Sequence, residues 1–561
     1  MRRSLTAGIL MIALFTTTAA AQSNWVDQFL NRYKPPKVDP AAAVTPQVSD
    51  EPWRPMVTQG ALPLSINDVV RLMLTSNLDV TVNRFSPLAT QYLLETMFRP
   101  FEPTLDLSAQ VSRNTTPSTS QLQAGSTVPF SQLQHRYTIG YSQMLQGGTA
   151  LNVNLNVTRN SSNSLFSTFN PAYFNTITYS VTQPFLRNYG RKINTRPIRL
   201  ARNNVNLSEV DFELQTIDLV AAAQNLYWDL VYQREDIKVR KASLDLAEKT
   251  LADNKRQVEI GTMARIEVVQ AESEVAQRQE QMVTTTYTAD QTQDRVKKLI
   301  TNLGDPALVL ADLLPVNAPP SPSSEDTMPL EAAIKYALES RPEMRQLALQ
   351  IQNSDIEVEY AKNQLLPTLL VGASYTQNGV GGVQTNRAEL GGSQITSIIR
   401  GGLADALGQL FGYNYTGYTV GFSVSIPLSN KSGQAQYSKA LTDKQSIAAK
   451  RTRLAQQIAL EVRNANSQVE MNRARIQKSE KALELATMQL EAEQKKFQLG
   501  TSQLRFVLQE QRNVTDAQTV RTSALVNYAK SVVDYDRAVG RTLRKNNVEI
   551  EKQLQVATLV Q

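Results

Sequence analysis

The residue types that most often carry catalysis are scarce in this chain. It contains one histidine, His135, and no cysteine. A familiar zinc site or a histidine-based triad needs more such groups, so neither can assemble from this set. The run from Gly379 to Gly382 is not followed by the Gly-Lys-Ser/Thr of a phosphate-binding loop. The sequence therefore predicts no enzymatic activity, no cofactor and no metal.

Cationic residues gather in one short segment. Six of them lie between residues 187 and 202, and no acidic residue interrupts them. This basic junction could contact lipid phosphates at a membrane edge, or it could form a luminal ring that favours anions. The net charge of +7 is modest for 561 residues and is dispersed, so no nucleic-acid partner is expected. The six residues are Arg187, Arg191, Lys192, Arg196, Arg199 and Arg202.

Two Gly-Thr pairs, Gly261-Thr262 and Gly500-Thr501, follow long helical patterns. Apolar residues recur every seven positions before each pair, which is the spacing of helices that wind around one another. Glycine supplies the left-handed conformation that ends a helix, so each pair predicts a chain reversal. Neither proline nor glycine occurs between Pro197 and Gly261, which predicts a helix of about 95 Å. The heptad residues are Ile237, Leu244, Leu251 and Val258, and then Ile476, Leu483, Leu490 and Phe497.

The chain is a tandem duplication. Residues 66–112 match a segment that begins at Leu330, and the block around Gly261 matches the block around Gly500. The repeat is far too long for a solenoid unit, so we interpret the copies as similar halves of one architecture. In each copy two shorter helices match one long helix, which predicts a tube wall of paired rods.

Between the short and long helices of each copy, the hydrophobic period changes to two. Apolar residues alternate with mostly uncharged polar residues over about ten positions, as in a transmembrane strand with lipid on one face and water on the other. The Gly-rich segment 377–416 predicts a loop that carries a short surface helix. Examples of the apolar positions are Leu105, Leu107, Ala109 and Val111, Leu151, Val153, Leu155 and Val157, and Tyr418, Val420, Phe422 and Val424.

The N-terminal residues predict export. Arg2 and Arg3 precede an apolar run, and Ala19 to Ala21 offer a small-residue cleavage site. We expect a signal peptide at 1–21, an N-terminal extension at 22–63 and a first repeat at 64–304. A Pro-rich linker at 305–329, a second repeat at 330–545 and a C-terminal tail at 546–561 would follow. After the signal, the sequence contains no apolar stretch of about 18 residues, so no membrane-spanning helix is predicted.

The order of these motifs, twice over, resembles the TolC-type outer membrane factor (outer membrane efflux protein) family of efflux and type I secretion channels. The resemblance covers about residues 62–545. Its most specific carriers, besides the Gly-Thr pairs, are Arg341-Pro342-Glu343, Leu366-Pro367, Gln183-Pro184-Phe185-Leu186 and Ile426-Pro427-Leu428. The resemblance implies an α+β membrane protein with two structural repeats per chain. A long coiled-coil helical tunnel would extend into the periplasm from a β-barrel that a trimer shares in the bacterial outer membrane.

The family resemblance also implies partners and a role. A homotrimer embedded in outer-membrane lipid would meet a periplasmic adaptor protein and an inner-membrane pump of RND or ABC type. The chain would then be a passive exit duct for delivered substrates. The three chains could form a barrel of 12 strands with an extra surface hairpin, or one of 18. An alternative is a non-conducting structural or adhesin protein that spans the envelope, and single-channel conductance would distinguish the two.

The resemblance assigns two further sites. In the family the helix tips contact the adaptor, which here means Gly261, Thr262, Gly500 and Thr501. Family members often place an aspartate just beyond each tip to help close the periplasmic entrance. This chain instead has Glu267 in the first copy and Phe506 and Gln509 in the second, which departs from an acidic ring. The predicted gate residues are Glu267, Phe497, Phe506 and Gln509.

Overall fold

Long helices and one large sheet make up most of the described chain. The computed structural model describes residues 33–34, 53–58, 60–117, 129–164, 166–300, 306–389, 392 and 394–548. The predicted signal peptide and most of the predicted tail lie outside these ranges. None of the described helices is both long and apolar enough to cross a membrane.

The first repeat begins with two short helices, and a polar side chain caps the N-terminus of each. Ser65 caps the first helix in a reciprocal capping box with Asp68, and the Asn77 side chain accepts hydrogen bonds from the amides that begin the second. The elements are β1 Ala61–Leu64, α1 Ile66–Ser76, α2 Leu78–Thr96, β2 Thr104–Thr116, β3 Phe130–Met144, β4 Ala150–Ser162, β5 Phe169–Pro184, α3 Arg191–Asn194, α4 Arg196–Glu259 and α5 Arg265–Ile300.

The second repeat follows a connection that contains α6 Pro306–Leu310 and β6 Asp312–Pro315. Its two short helices are divided at Arg341, where Pro342 starts the second of them. The elements are α7 Leu330–Ser340, α8 Pro342–Gln364, β7 Thr368–Arg387, β8 Ile395–Ile399, α9 Leu403–Phe411, β9 Tyr415–Ser425, α10 Lys431–Gln498, α11 Leu504–Val539 and α12 Thr542–Lys545.

The interpretation of segment 377–416 as a loop was wrong in part. Strand β7 continues through its glycines to Arg387, because it pairs with β5 along almost its whole length. The isoleucines at 395–399, whose spacing fits a helix, form β8 against the upper end of β7. Only the stretch from Leu403 onward is helical, as predicted.

Each long helix has two shorter helices stacked along it. Helix α4, of 64 residues and therefore about 96 Å, packs along α2 and then α5. Helix α10, of 68 residues, packs in the same way along α8 and α11. Helix α4 also contacts α8 and α11, which joins the two repeats side by side. The predicted wall of paired rods is confirmed.

A hydrophobic core lies in each repeat where its first short helix meets the long columns. In the first repeat, α1 packs on Tyr227 and Trp228 of α4, together with Leu62 and Leu64 of β1. In the second, α7 packs with buried residues of α10 and α11 that include Tyr528 and Tyr535. Strand β1 pairs in parallel with β6, so the chain before the first repeat is tied to the connection between the repeats.

The sheet is antiparallel and two-faced. Its strands follow the order β2-β3-β4-β5-β7, and β9 and β8 lie one above the other on the far edge of β7. One cross-strand row is apolar or aromatic and the next row is polar, so one face suits lipid and the other water. The apolar row is Leu105, Tyr141, Val153, Tyr179, Tyr375 and Tyr418, and the polar row is Thr104, Ser142, Asn152, Ser180, Ser374 and Thr419.

Candidate functional site

The first helix tip is a tight reversal between α4 and α5. Gly261 has a φ of 78°, a left-handed conformation that glycine adopts without strain. The Thr262 amide and hydroxyl both donate to the Gln257 carbonyl, at 2.9 and 3.0 Å. This satisfies one of the carbonyls that the helix end leaves without a partner. Gly261 and Thr262 are exposed, so the turn is available for contact.

The second tip, between α10 and α11, repeats this geometry. Gly500 has a φ of 75°, and the Thr501 amide and hydroxyl both donate to the Lys496 carbonyl at 3.0 Å. An additional brace exists here, since Glu493 accepts hydrogen bonds from the Ser502 hydroxyl and the Lys496 ammonium. Both hydrogen bonds lower the pKa of Glu493, and the bond from Ser502 has the larger effect. The second turn therefore has a side-chain brace of its own.

Two apolar residues at the tips were not among the predicted site residues. Ile260 and Leu499 directly precede the two turn glycines, and they are 73% and 79% exposed. Burying such side chains against a partner is favourable, so they would strengthen a contact at each tip. The signal was present in the sequence, because both residues fall two positions after a heptad position and therefore off the apolar stripe.

The predicted gate residues differ in their exposure to solvent. Phe506 is 47% exposed and Gln509 is exposed one turn later, on the face of α11 opposite its buried residues. The Arg505 guanidinium lies 4.7 Å from the centre of the Phe506 ring. Glu267 and Phe497 belong to α5 and α10 and are half-buried. The structure thus brings Phe506 and Gln509 onto one open face of a single helix.

A buried ionic cluster joins the two repeats near the tips. Glu274 of α5 accepts a hydrogen bond from Arg278 of its own helix at 2.8 Å and from Arg512 of α11 at 2.9 Å. The Glu274 and Arg278 side chains are only 4% and 6% exposed. The cluster was not predicted, although Glu274 and Arg278 continue the buried stripe of Ala271 and Val275 at helical spacing. Charged residues on such a stripe are the signal that could have revealed it.

Three residues of the basic junction bind to the second repeat. Arg196 makes a bidentate pair with Glu357 of α8, with a closest N–O distance of 2.7 Å. Arg199 pairs with Glu359 at 2.7 Å, and Arg187 donates to the Gln364 side chain at 2.6 Å. Three of the six residues of the predicted basic junction therefore join α4 and its preceding turn to α8. These pairs fix the two repeats at the base of the sheet.

The other three cations, Arg191, Lys192 and Arg202, have no acidic partner in the described part of the chain. They line a shallow pocket with Phe98, which follows α2, and Gln146, in the turn between β3 and β4. The pocket lies where the sheet meets the helices. Its positive charge favours an anionic group.

The model of the outer membrane efflux protein family matches residues 149–302 and 333–541. The chain belongs to this family. It is therefore a member of a family of outer membrane efflux channels, which are not enzymes, and it resides in the outer membrane and extends into the periplasm. No curated protein matches the chain.

Solved structures with the same fold include three outer membrane proteins. The Campylobacter jejuni CmeC channel has a TM-score of 0.58 and 15% identity, over 86% of this chain and 90% of that one. The Vibrio cholerae protein VceC has a TM-score of 0.59 and 14% identity, over 85% and 96%. The open state of the Neisseria gonorrhoeae MtrE channel has a TM-score of 0.57 and 14% identity, over 85% and 89%. The predicted α+β class, with a helical tunnel, a barrel sheet and two repeats, is confirmed.

Proposed function

We propose that three copies of this chain form a passive outer-membrane duct. Substrates would enter from an inner-membrane pump, of RND or ABC type, through a periplasmic adaptor, as in efflux or type I secretion. The observation that carries the proposal is a two-faced sheet with unpaired edges, continuous with helical columns of about 96 Å. Such columns reach far into the periplasm while the sheet stays in the outer membrane.

The need for more than one copy follows from the cost of an unpaired sheet edge in lipid. Unpaired edge amides and carbonyls cost several kcal/mol each in hydrocarbon, so only closed barrels persist there. Without the short β8, one chain supplies six strands, fewer than the eight of the smallest barrels whose interior is filled by side chains. Several copies must therefore share one barrel. We expect a trimer in detergent by mass photometry, and a well-folded monomer would contradict this assembly.

The duct itself is tested by conductance. The purified protein should conduct in planar bilayers, since the polar face of the sheet would line a water-filled path. It should also restore drug export in a host that lacks its own channel, when the matching adaptor and pump are supplied. A trimer that inserts but does not conduct, and does not support export, would favour a structural role in the envelope.

The helix tips would contact the adaptor. Valine at position 500 must adopt a left-handed φ, which costs about 1–2 kcal/mol and distorts the turn. We expect Gly500→Val to abolish export and adaptor crosslinking while the trimer still inserts. Gly261→Val should have a similar or milder effect. The matched control is Gly60→Val, because Gly60 has a φ of 80°, equally open surroundings and a position far from the tips.

A second pair of variants tests the contact without straining the turn. Ile260→Ser and Leu499→Ser remove the exposed apolar side chains and leave both glycines in place. Weaker adaptor crosslinking in these variants, with the trimer retained, would support a contact surface. Unchanged crosslinking and full drug resistance in all of the tip variants would mean that the turns only end helices.

A further inference from the structure

The two repeats do not contribute the same number of strands. In the second repeat, β7 pairs directly with β9, with Thr368 opposite Ser425. The equivalent strands of the first repeat are β2 and β5, and they do not touch. The β3–β4 hairpin lies between them and pairs with β2 on one side and with β5 on the other. Apart from the short β8 at the end of β7, the first repeat is thus a four-stranded version of a two-stranded plan.

The inserted hairpin is built as part of the wall. Its apolar residues Ile139 and Leu155 lie in one row between Leu107 of β2 and Ile177 of β5. On the other face, Thr138 donates to Asn156 at 2.9 Å, and the Thr104 and Ser142 hydroxyls are 2.7 Å apart. A hairpin displaced onto the lipid side would bury such asparagines in hydrocarbon, which is costly.

The turn of the hairpin is also anchored. Gly148 has a φ of 95°, and a β-carbon there would come within 2.8 Å of the Asn188 carbonyl oxygen. The Gly190 amide donates to the Gly147 carbonyl at 3.2 Å. The turn therefore sits directly on the segment between β5 and α4. A hairpin held at this point keeps its strands in line with the rest of the sheet.

The two edges of the sheet are complementary. Every residue of β2 and of β9 is exposed in the single chain. Because the strands between them alternate in direction, β2 and β9 run antiparallel to each other and could pair as their neighbours do. Their apolar faces also lie on the same side of the sheet.

We infer that β9 of each copy pairs with β2 of the next, so that six strands from each of three copies close an 18-stranded barrel. This inference rests on the trimer of the proposed function. The internal repeat predicts the register of the seam, because β5 against β7 is the equivalent junction within one chain. The pair of Thr182 in β5 and Gly372 in β7 corresponds to a pair of Ser425 in β9 and Ser108 in β2 of the next copy. In the same register Val424 meets Ala109, apolar against apolar.

This register is compatible with closure. The polar row that starts at Thr104 reaches Thr419, which would lie opposite Asn114 of the next copy. From Thr104 to Asn114 of the next copy, the row therefore shifts by ten residues, or about 33 Å, along the strand direction. The six strands that it crosses span about 29 Å across the sheet. The resulting strand tilt is about 50°, slightly steeper than the usual 35–45°. Barrel diameter grows with strand number, so this barrel would be about 1.5 times as wide as a 12-stranded one.

Disulfide crosslinking can test the seam without background, because the chain has no cysteine. The doubly substituted Ser108→Cys/Ser425→Cys protein should form covalent dimers and trimers when oxidised in outer membranes. The control, Ser108→Cys/Thr419→Cys, is out of register by six residues, or about 20 Å, and should not. If the seam variant stays uncrosslinked while its trimer persists, the proposed seam is wrong.

A second set of pairs tests the strand number. Thr104→Cys/Ser142→Cys should form a disulfide within one chain, which peptide mass spectrometry would detect. Thr104→Cys/Thr182→Cys should not, because β3 and β4 separate these positions by about 14 Å. A disulfide in the latter pair would place the hairpin outside the wall and reduce the barrel to 12 strands. That result would leave the duct intact, whereas loss of trimer and conductance in the unsubstituted chain would contradict the proposed function itself.

Discussion

The Glu274 cluster should control how firmly the two helical hairpins hold together near the tips. Replacing Glu274 by alanine leaves Arg278 buried without its counter-charge, since that side chain is only 6% exposed. Breaking a buried ion pair in this way costs about 3–5 kcal/mol. Arg512→Ala should cost less, about 1.5 kcal/mol, because Glu274 keeps Arg278 and Arg512 is 43% exposed.

Hydrogen exchange measures this difference locally. At about 1.4 kcal/mol per tenfold change, Glu274→Ala should speed amide exchange in the adjoining turns of α5 and α11 by two to four powers of ten. Arg512→Ala should speed it by about tenfold. The matched control is Glu272→Ala, two residues earlier on α5, whose pair with Lys255 is about half exposed on both sides. An exposed pair contributes about 0–1 kcal/mol, so exchange should change little.

The same reasoning predicts a rescue. Glu274→Met combined with Arg278→Met replaces the buried pair by apolar side chains, which is often neutral or stabilising. This double variant should exchange far more slowly than Glu274→Ala. Equal exchange in Glu274→Ala and Glu272→Ala, or a double variant as labile as the single one, would refute the assignment of the cluster as a buried electrostatic contact.

Two further predictions concern the entrance and the acid response. Phe506→Ala should raise conductance and antibiotic leakage with little loss of trimer, because the ring is 47% exposed, whereas Val507→Ala should lower thermal stability instead. A Phe506→Ala variant with unchanged conductance and reduced yield would make this ring a packing residue. Burial alone would raise the pKa of Glu461, but hydrogen bonds from Arg341 and Gln457 hold it below its ordinary value of 4.5. The stability that this pair adds is present above that value and lost as pH falls through the lower folded pKa, so Glu461→Gln should flatten the acid side of a pH–melting curve.

The helical architecture could be read from the sequence because its signals are local. The heptads end at Gly261 and Gly500, and both glycines adopt the left-handed conformation that was predicted for a chain reversal. The helix between Pro197 and Gly261 also runs almost as predicted, to Glu259. A helix is stabilised by neighbours three and four residues away, so a single stretch of sequence carries most of the information.

The sheet could be predicted only in part because its pairing is not local. Period-two alternation identified strands but not their order, and it left open whether β3 and β4 belong to the wall. The glycines at 379, 381 and 382 favoured a loop, yet pairing with β5 holds that stretch in the strand. The partner of β7 lies about 200 residues away, so no local propensity could decide it.

The candidate sites depend on a third kind of information, which is the set of faces that one chain leaves open. Helix α11 shows this most clearly, since it buries Val507 and Leu508 against its neighbours but exposes Phe506 and Gln509. The basic junction shows the opposite, because Arg196 and Arg199 point to carboxylates of α8. A charge count along the sequence could not distinguish these paired cations from Arg191, Lys192 and Arg202. In the assembly, neighbouring copies would cover the open edges of β2 and β9 and would lie beside the open face of α11. The assembly itself would therefore complete these sites.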